Sequence, residues 1–361
     1  MAAAMAVSDE AARELLVDLV SIPSVSGDER KAAERLVAFF GTHDREAWVD
    51  DVGNVRAPGD DAVLLTSHVD TVPGDIPVRV EREAEPPGRQ VGDGDAKVLW
   101  GRGSVDATGP LAAMAVAAVR TGVSFAGVVR EETDSGGARH LVADREAPDA
   151  VVNGEPSGWN GVTLGYRGFL PGTFHAETPA GHSSRPDRNA IQHVMNWWAD
   201  VEARFDEDGP VFEQVTAKPT GVTGGVAEDG LSVTATADVQ FRVPPGTSVG
   251  EVQDVVEDAL SVGRLEWDDP IPPVLESPRT PVARAFRAAI RREGGEPRLL
   301  RKTGTSDMNL YAAAWDCPMV TYGPGDSALD HAPDERLALA EFDRSVAVLE
   351  QVSEKLANDQ A

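Results

Sequence analysis

The chain opens on SDEAARELLVDLV, in which Leu15, Leu16, Leu19 and Val20 recur at helical spacing behind Ser8, a side chain suited to cap a first turn. The pattern predicts a helix that stops at Ile22-Pro23, because the residue before a proline is pushed out of the helical region. A second helix is expected through Glu29 to Phe40, then a short strand near Ala47 to Asp51, then the unbroken apolar run AVLLTSH closing on His68. Continuous apolar character, as opposed to alternation, marks a central strand covered on both faces. After GRGSVDATGP, the Ala-rich LAAMAVAAVR reads as a helix, and FAGVV and DAVVN as further central strands. Helix and strand in alternation predict an α/β sheet with helices on both faces. Each strand runs straight into polar residues, and in open α/β sheets sites are built beyond the carboxyl ends of the strands.

From about Gly165 the period changes to the two-residue alternation of TFHAET and SVTATADVQFRV, with helices expected around Ala190 to Phe205 and Val249 to Leu260. This reads as a smaller α+β domain inserted into the larger one. After the Pro-rich DDPIPPVLESPRTP, the helical VARAFRAAIRRE, the strand-like PMVTYG and a final helix from Ala338 to Lys355 return to the first domain. The expected division is residues 1–164 with 277–361 in a catalytic domain and 165–276 in the insertion. GRQVGDGDAK reads as an exposed loop, and no internal repeat is present.

Composition sharpens this picture in two ways. A chain of 361 residues, 41% hydrophobic and 26% charged, has material for two cores and contains no apolar run long enough to span a bilayer. The leading MAAAMAV is too short for a signal core and has no basic region before it, and Cys317 is the single cysteine, so a cytoplasmic protein is expected. Charge is the second. With 60 acidic residues against 33 basic ones, five of them lysine, the net charge is -27, which repels phosphate backbones and excludes nucleic acid as a partner. Such a surface suits concentrated salt, where a Debye length of about 3 Å at molar ionic strength screens self-repulsion. A halophilic protein is expected; the alternative is an ordinary acidic cytosolic enzyme.

Candidate chemistry gathers at the strand ends. His68 and Asp70 sit two apart after AVLLTS, so a metal-ligating histidine and an orienting carboxylate can come from one turn. Asp106 lies in a rigid Gly- and Pro-bearing loop before a helix. Glu131 and Glu132 follow FAGVVR directly, and two adjacent carboxylates repel unless a cation or proton separates them. Adjacent residues point differently, so one can hold metal while the other faces substrate and handles a proton. Glu155 in NGEPS is the next strand-end carboxylate, and His331 in GPGDSALDHAPDE is a loop histidine. Each alone has a bland reading, a surface pair, a structural turn or a solvated acidic loop. Together they form a nitrogen and oxygen donor set suited to zinc or another first-row ion. His43, His140, His175 and His193 lack such partners and read as structural, whereas His182 stands among small residues in TPAGHSSRPDRNA, where it can polarise a substrate carbonyl.

In order, SIPSVSGDE, SHVDTVP, GRGSVDATGP, REETDSGG, NGEPS, AGHSS and GPGDSALDHAPDE resemble, over nearly the whole chain, the zinc-dependent aminoacylases and carboxypeptidases that include acetylornithine deacetylase and succinyl-diaminopimelate desuccinylase. The resemblance implies a mixed-sheet, dinuclear-metal peptidase-like domain with an inserted lid that mediates dimerisation. It implies two divalent ions, zinc expected and cobalt an alternative, with His68 and Glu155 on one, Glu132 and His331 on the other and Asp106 bridging. Asp70 would support His68, Glu131 would be the general base, and His182 would stabilise the tetrahedral intermediate. Within the family, SHVDTVPGDIPV, GVTLGYRG and KTGTSDMN most resemble hydrolases that release lysine or ornithine from an amino-group carrier protein in lysine and arginine biosynthesis. That similarity makes Arg242 and the Gly304-Thr305-Ser306-Asp307 loop candidates to hold the substrate carboxylate, by a bidentate fork and by backbone N–H donors. The alternatives are a small-molecule deacylase or dipeptidase on the same site, a non-catalytic homodimeric binding protein, and an acidic metal-binding module.

Overall fold

The structure, a computed structural model, describes residues 7–83, 86–87, 97–205 and 208–360. The loop expected at GRQVGDGDAK lies, up to its final Lys97, outside the described residues. The chain divides into two compact units, Met1–Gly165 with Glu276–Leu300 and Leu310–Ala361, and Tyr166–Leu275 with Arg301–Asn309. The last assignment differs from the expected 277–361 segment. Residues 301–309 join the second unit because Arg167 Nε donates to the Thr303 carbonyl at 2.8 Å and Asn309 Nδ2 to those of Arg167 and Pro272 at 3.1 and 2.8 Å.

In the first unit, Ser8 accepts from Ala11 N–H and opens the helix Asp9–Val20, and Arg30–Thr42 is the second helix. The strand Asp60–His68 is buried at seven consecutive positions, from Ala62 onward. Strands Val123–Val128 and Val151–Gly154 flank it, both parallel to it, and Met319–Thr321 runs parallel to Val151–Gly154 on the far side. Register aligns His68 with Val128 and Ser67 with Gly154, so three adjacent strands end at one level. Gly154 is required there, since a Cβ would stand 2.5 Å from Ser67 Cβ. The helix Thr108–Thr121 is buried along eleven consecutive positions, as a helix under a sheet must be, and packs with the final helix Leu339–Gln360 into the main core. Antiparallel pairs at the sheet edge make it mixed. Arg79–Arg82, Lys97–Trp100 and Arg336–Ala338, too short to stand out in the sequence, form a separate small sheet with Lys97–Trp100 in the middle.

In the second unit, Gly168–Pro179 and Ser232–Val243 are long antiparallel strands whose residues alternate between buried and accessible, as expected where one face meets a core and the other water. Helices Ala190–Glu202 and Val249–Glu257, each opened by a capping box, contribute to that core. No helix among the described residues is long and apolar enough to cross a membrane.

Candidate metal centre

The carboxyl ends of the three aligned strands carry the site. His68 is the last residue of its strand, Glu131 and Glu132 lie three and four residues beyond Val128, and Glu155 follows Gly154. Asp106 comes from the loop before Thr108–Thr121, and His331 from the segment beyond Met319–Thr321. His68 Nε2 lies 3.2 Å from Asp106 Oδ1 and 3.8 Å from Glu155 Oε1. His331 Nε2 lies 3.1 Å from Asp106 Oδ2 and 3.0 Å from Glu132 Oε1. Asp106 therefore presents one oxygen to each histidine. Donor atoms of His68, Glu131 and Glu155, and of His68, Asp106 and Glu132, fall within 4.8 Å of one another. Two donors bound to one tetrahedral ion at about 2.1 Å stand about 3.4 Å apart, so these spacings fit ligands converging on cations.

The electrostatics agree. Burial opposes charge on His68, but its hydrogen bonds to Asp106 and Asp70 and the charges of Glu155 and Glu131 outweigh it, and its pKa is raised well above the ordinary histidine value. His331 is pushed up to about 9, chiefly by its hydrogen bond to Asp106 and, against the cost of burial, by Glu132. Burial and the neighbouring Asp106 raise Glu132, against the pull of the two histidines. Carboxylates gathered in so poorly solvated a place call for positive charge, which a divalent cation would supply.

Asp70 does more than orient His68. The nearest partner of His68 Nδ1 is the Asp70 main-chain carbonyl at 2.8 Å, with carboxylate Oδ1 at 3.6 Å. That carboxylate accepts from Glu131 N–H at 3.0 Å, from Glu132 N–H at 3.1 Å and from Ser26 Oγ at 2.6 Å. It thus fixes the backbone of the acidic pair while supporting the histidine. From the other side, Asn54 accepts from Val129 N–H at 3.1 Å and donates to the Gly137 carbonyl at 3.0 Å, pinning both ends of the same loop. Buried Glu341 accepts from Trp159 N–H at 3.0 Å and Gly325 N–H at 3.2 Å, joining the turn after Glu155 to the one leading to His331. Sequence reading passed over Ser26, Asn54 and Glu341. Ser26 sits inside SIPSVSGDE, but a side chain whose partner lies far along the chain, the Asp70 carboxylate for Ser26 and backbone groups for Asn54 and Glu341, leaves no spacing pattern to find.

His182, Arg242 and residues 304–306 lie on the second unit. His182 Nδ1 faces Ser184, 2.8 Å from its Oγ and 3.3 Å from its backbone N–H. Arg242 Nη1 donates to Thr305 Oγ1 at 3.2 Å, its guanidinium carbon stands 4.6 Å from the Phe169 ring centroid, and burial lowers its pKa. Arg167 is lowered too, by burial and then by Arg242. These partners are neutral: Arg167 donates to the carbonyls of Thr303, Val211 and Gln214 and to Thr216 Oγ1, and Arg242 to Thr305 Oγ1. Ser306 differs from expectation. Its N–H is turned onto Asn309 Oδ1 at 3.0 Å at the start of the helix Asp307–Ala314, so that donor is already committed. Among the histidines read as structural, His43 packs on Phe39 and His140 faces Asp50.

This fold and donor set define a metal-dependent hydrolase of the two-unit α/β type. A solved aminopeptidase from Bacillus cereus superposes with a TM-score of 0.77, covering 97% of this chain and 99% of that one at 18% identity. The chain belongs to peptidase family M20/M25/M40, whose model matches residues 64–355. It is 40% identical to a LysW-lysine hydrolase of Deinococcus radiodurans, over 94% of this chain and 95% of that one. It is 37% identical to a LysW-lysine/LysW-ornithine hydrolase, so named provisionally, of Thermococcus kodakarensis, over 97% and 93% of the two chains.

Proposed function

We propose that this enzyme hydrolyses the amide joining the α-amino group of lysine or ornithine to the C-terminal glutamate side chain of an amino-group carrier protein, in lysine or arginine biosynthesis. The full-length similarity to hydrolases named for that carrier carries the reading. The site supports its chemistry. Two divalent cations, zinc in the first instance, held by His68 with Glu155 and by Glu132 with His331, with Asp106 between, would polarise a scissile carbonyl and acidify water. Glu131, fixed at its backbone by Asp70, removes the proton of the attacking water and passes it to the departing amine. His182 donates to the developing oxyanion. Arg242, with Gly304 and Thr305, binds the substrate carboxylate; a half-buried guanidinium hydrogen-bonded to a hydroxyl is suited to receive an anion.

The test is release of amino acid from carrier loaded with lysine or with ornithine, beside hydrolysis of free acetylornithine. Turnover of acetylornithine with neither carrier substrate touched overturns the proposal in favour of a small-molecule deacylase. In the same assay Arg242→Ala should raise KM by about 10–100-fold, the worth of a lost charge-assisted pair; an unchanged KM removes Arg242 from the subsite.

The second unit is proposed to mediate a homodimer. Strand Thr216–Val226 is at its sheet edge and exposes Val222 and Val226, with Leu231 and Met195 exposed on the same unit. Sedimentation should give a dimer mass, and a monomer at micromolar concentration refutes this.

A further inference from the structure

We infer that Glu335 is a positioning residue that holds Asp106 between the two histidines. This rests on the metal reading of the strand-end cluster. Strand Arg336–Ala338 pairs antiparallel with Lys97–Trp100, Arg336 opposite Trp100, which brings the residue before one strand beside the loop that leaves the other. Glu335 is that residue, and its side chain is fully buried. Oε1 accepts from Val105 N–H at 2.8 Å and from Asp106 N–H at 3.0 Å, and Oε2 pairs with Arg102 Nη1 at 2.8 Å. The same Nη1 donates to the Ala332 carbonyl at 3.2 Å.

One short segment therefore grips Asp106 at both ends. His331 meets its carboxylate at 3.1 Å, and Glu335 binds its backbone N–H. Two consecutive N–H groups aimed at one oxygen make a small anion nest. The loop needs such a hold because it turns sharply: Gly103, at φ +82, takes a left-handed step three residues before Asp106, where a Cβ would stand 2.6 Å from Thr108 Oγ1. An anionic side chain is suited to this post because charge-assisted bonds are about twice as strong as neutral ones. With both oxygens turned onto the loop and Arg102, Glu335 acts through Asp106.

The test uses metal-free full-length protein titrated with Co2+, read by visible absorption and by calorimetry, with circular dichroism and thermal melting of each metal-free form alongside. Wild type should take up two ions. Glu335→Ala should weaken uptake by about 10–100-fold, as loss of a partner behind a ligand typically does, with an altered absorption spectrum. Glu335→Gln keeps an oxygen for the two N–H groups and should fall between, a partial rescue that mere loss of stability does not produce. Should the alanine form not fold, the glutamine form carries the test by its own weaker uptake and shifted spectrum. Wild-type affinity and spectrum in either folded variant overturns the inference, whatever the melting temperature. A wild type that takes up no cobalt overturns the metal reading itself and the inference with it.

Discussion

Glu131→Gln is expected to keep the fold and the metal content while lowering kcat by about 10³-fold, the middle of the range for a positioned general base. The substitution keeps volume and shape and removes only the capacity to take a proton. Its backbone N–H still donates to Asp70, so the loop that also carries Glu132 has no reason to move. KM should change little, because the proton transfer is made only in the transition state. Metal analysis by inductively coupled plasma spectrometry and steady-state kinetics on carrier substrates measure both halves. Wild-type turnover removes Glu131 from the base role, and loss of metal with activity makes it a ligand instead, an outcome its grouping with His68 and Glu155 leaves geometrically reasonable.

Asp106→Asn should be as damaging by a different route. Asp106 offers one oxygen toward His68 and the other toward His331, whereas an asparagine offers one oxygen and an N–H2 that faces the second histidine as a donor. Metal stoichiometry is expected to fall from two to one or fewer, and activity by at least about 10²–10³-fold, since the surviving ion loses its partner. Loss should resist added metal in the micromolar range. A variant that retains two ions and full turnover shows that Asp106 does not bridge.

Much of the architecture was legible along the chain. The run into His68, the alternation of SVTATADVQFRV and the polar residues after each apolar strand were enough for two kinds of sheet and for one edge where His68, Asp106, Glu131, Glu132, Glu155 and His331 should gather. Periodicity reports burial, and burial is most of what positions a strand or a helix. The small sheet that sets Glu335 beside the Asp106 loop was missed because Arg336–Ala338 has only three residues and Arg79–Arg82 four, mostly exposed, so neither period develops. The passage of residues 301–309 to the second unit was missed for another reason: side-chain bonds from Arg167 and Asn309 decide it.

The adjacency of Glu131 and Glu132 after a buried strand is a property of the sequence, and by itself it required a cation or a proton nearby. Tertiary structure decided which side each member takes. Glu131 groups with His68 and Glu155, Glu132 groups with His68 and Asp106 and alone of the two pairs with His331, and Asp70 holds both backbones from a loop some sixty residues earlier. Residue types and spacing determine which groups can bear charge and how often they meet a core. Only the parallel register of three strands, and the hydrogen bonds that clamp the loops beyond them, determine the ångström separations on which ligation and proton transfer depend.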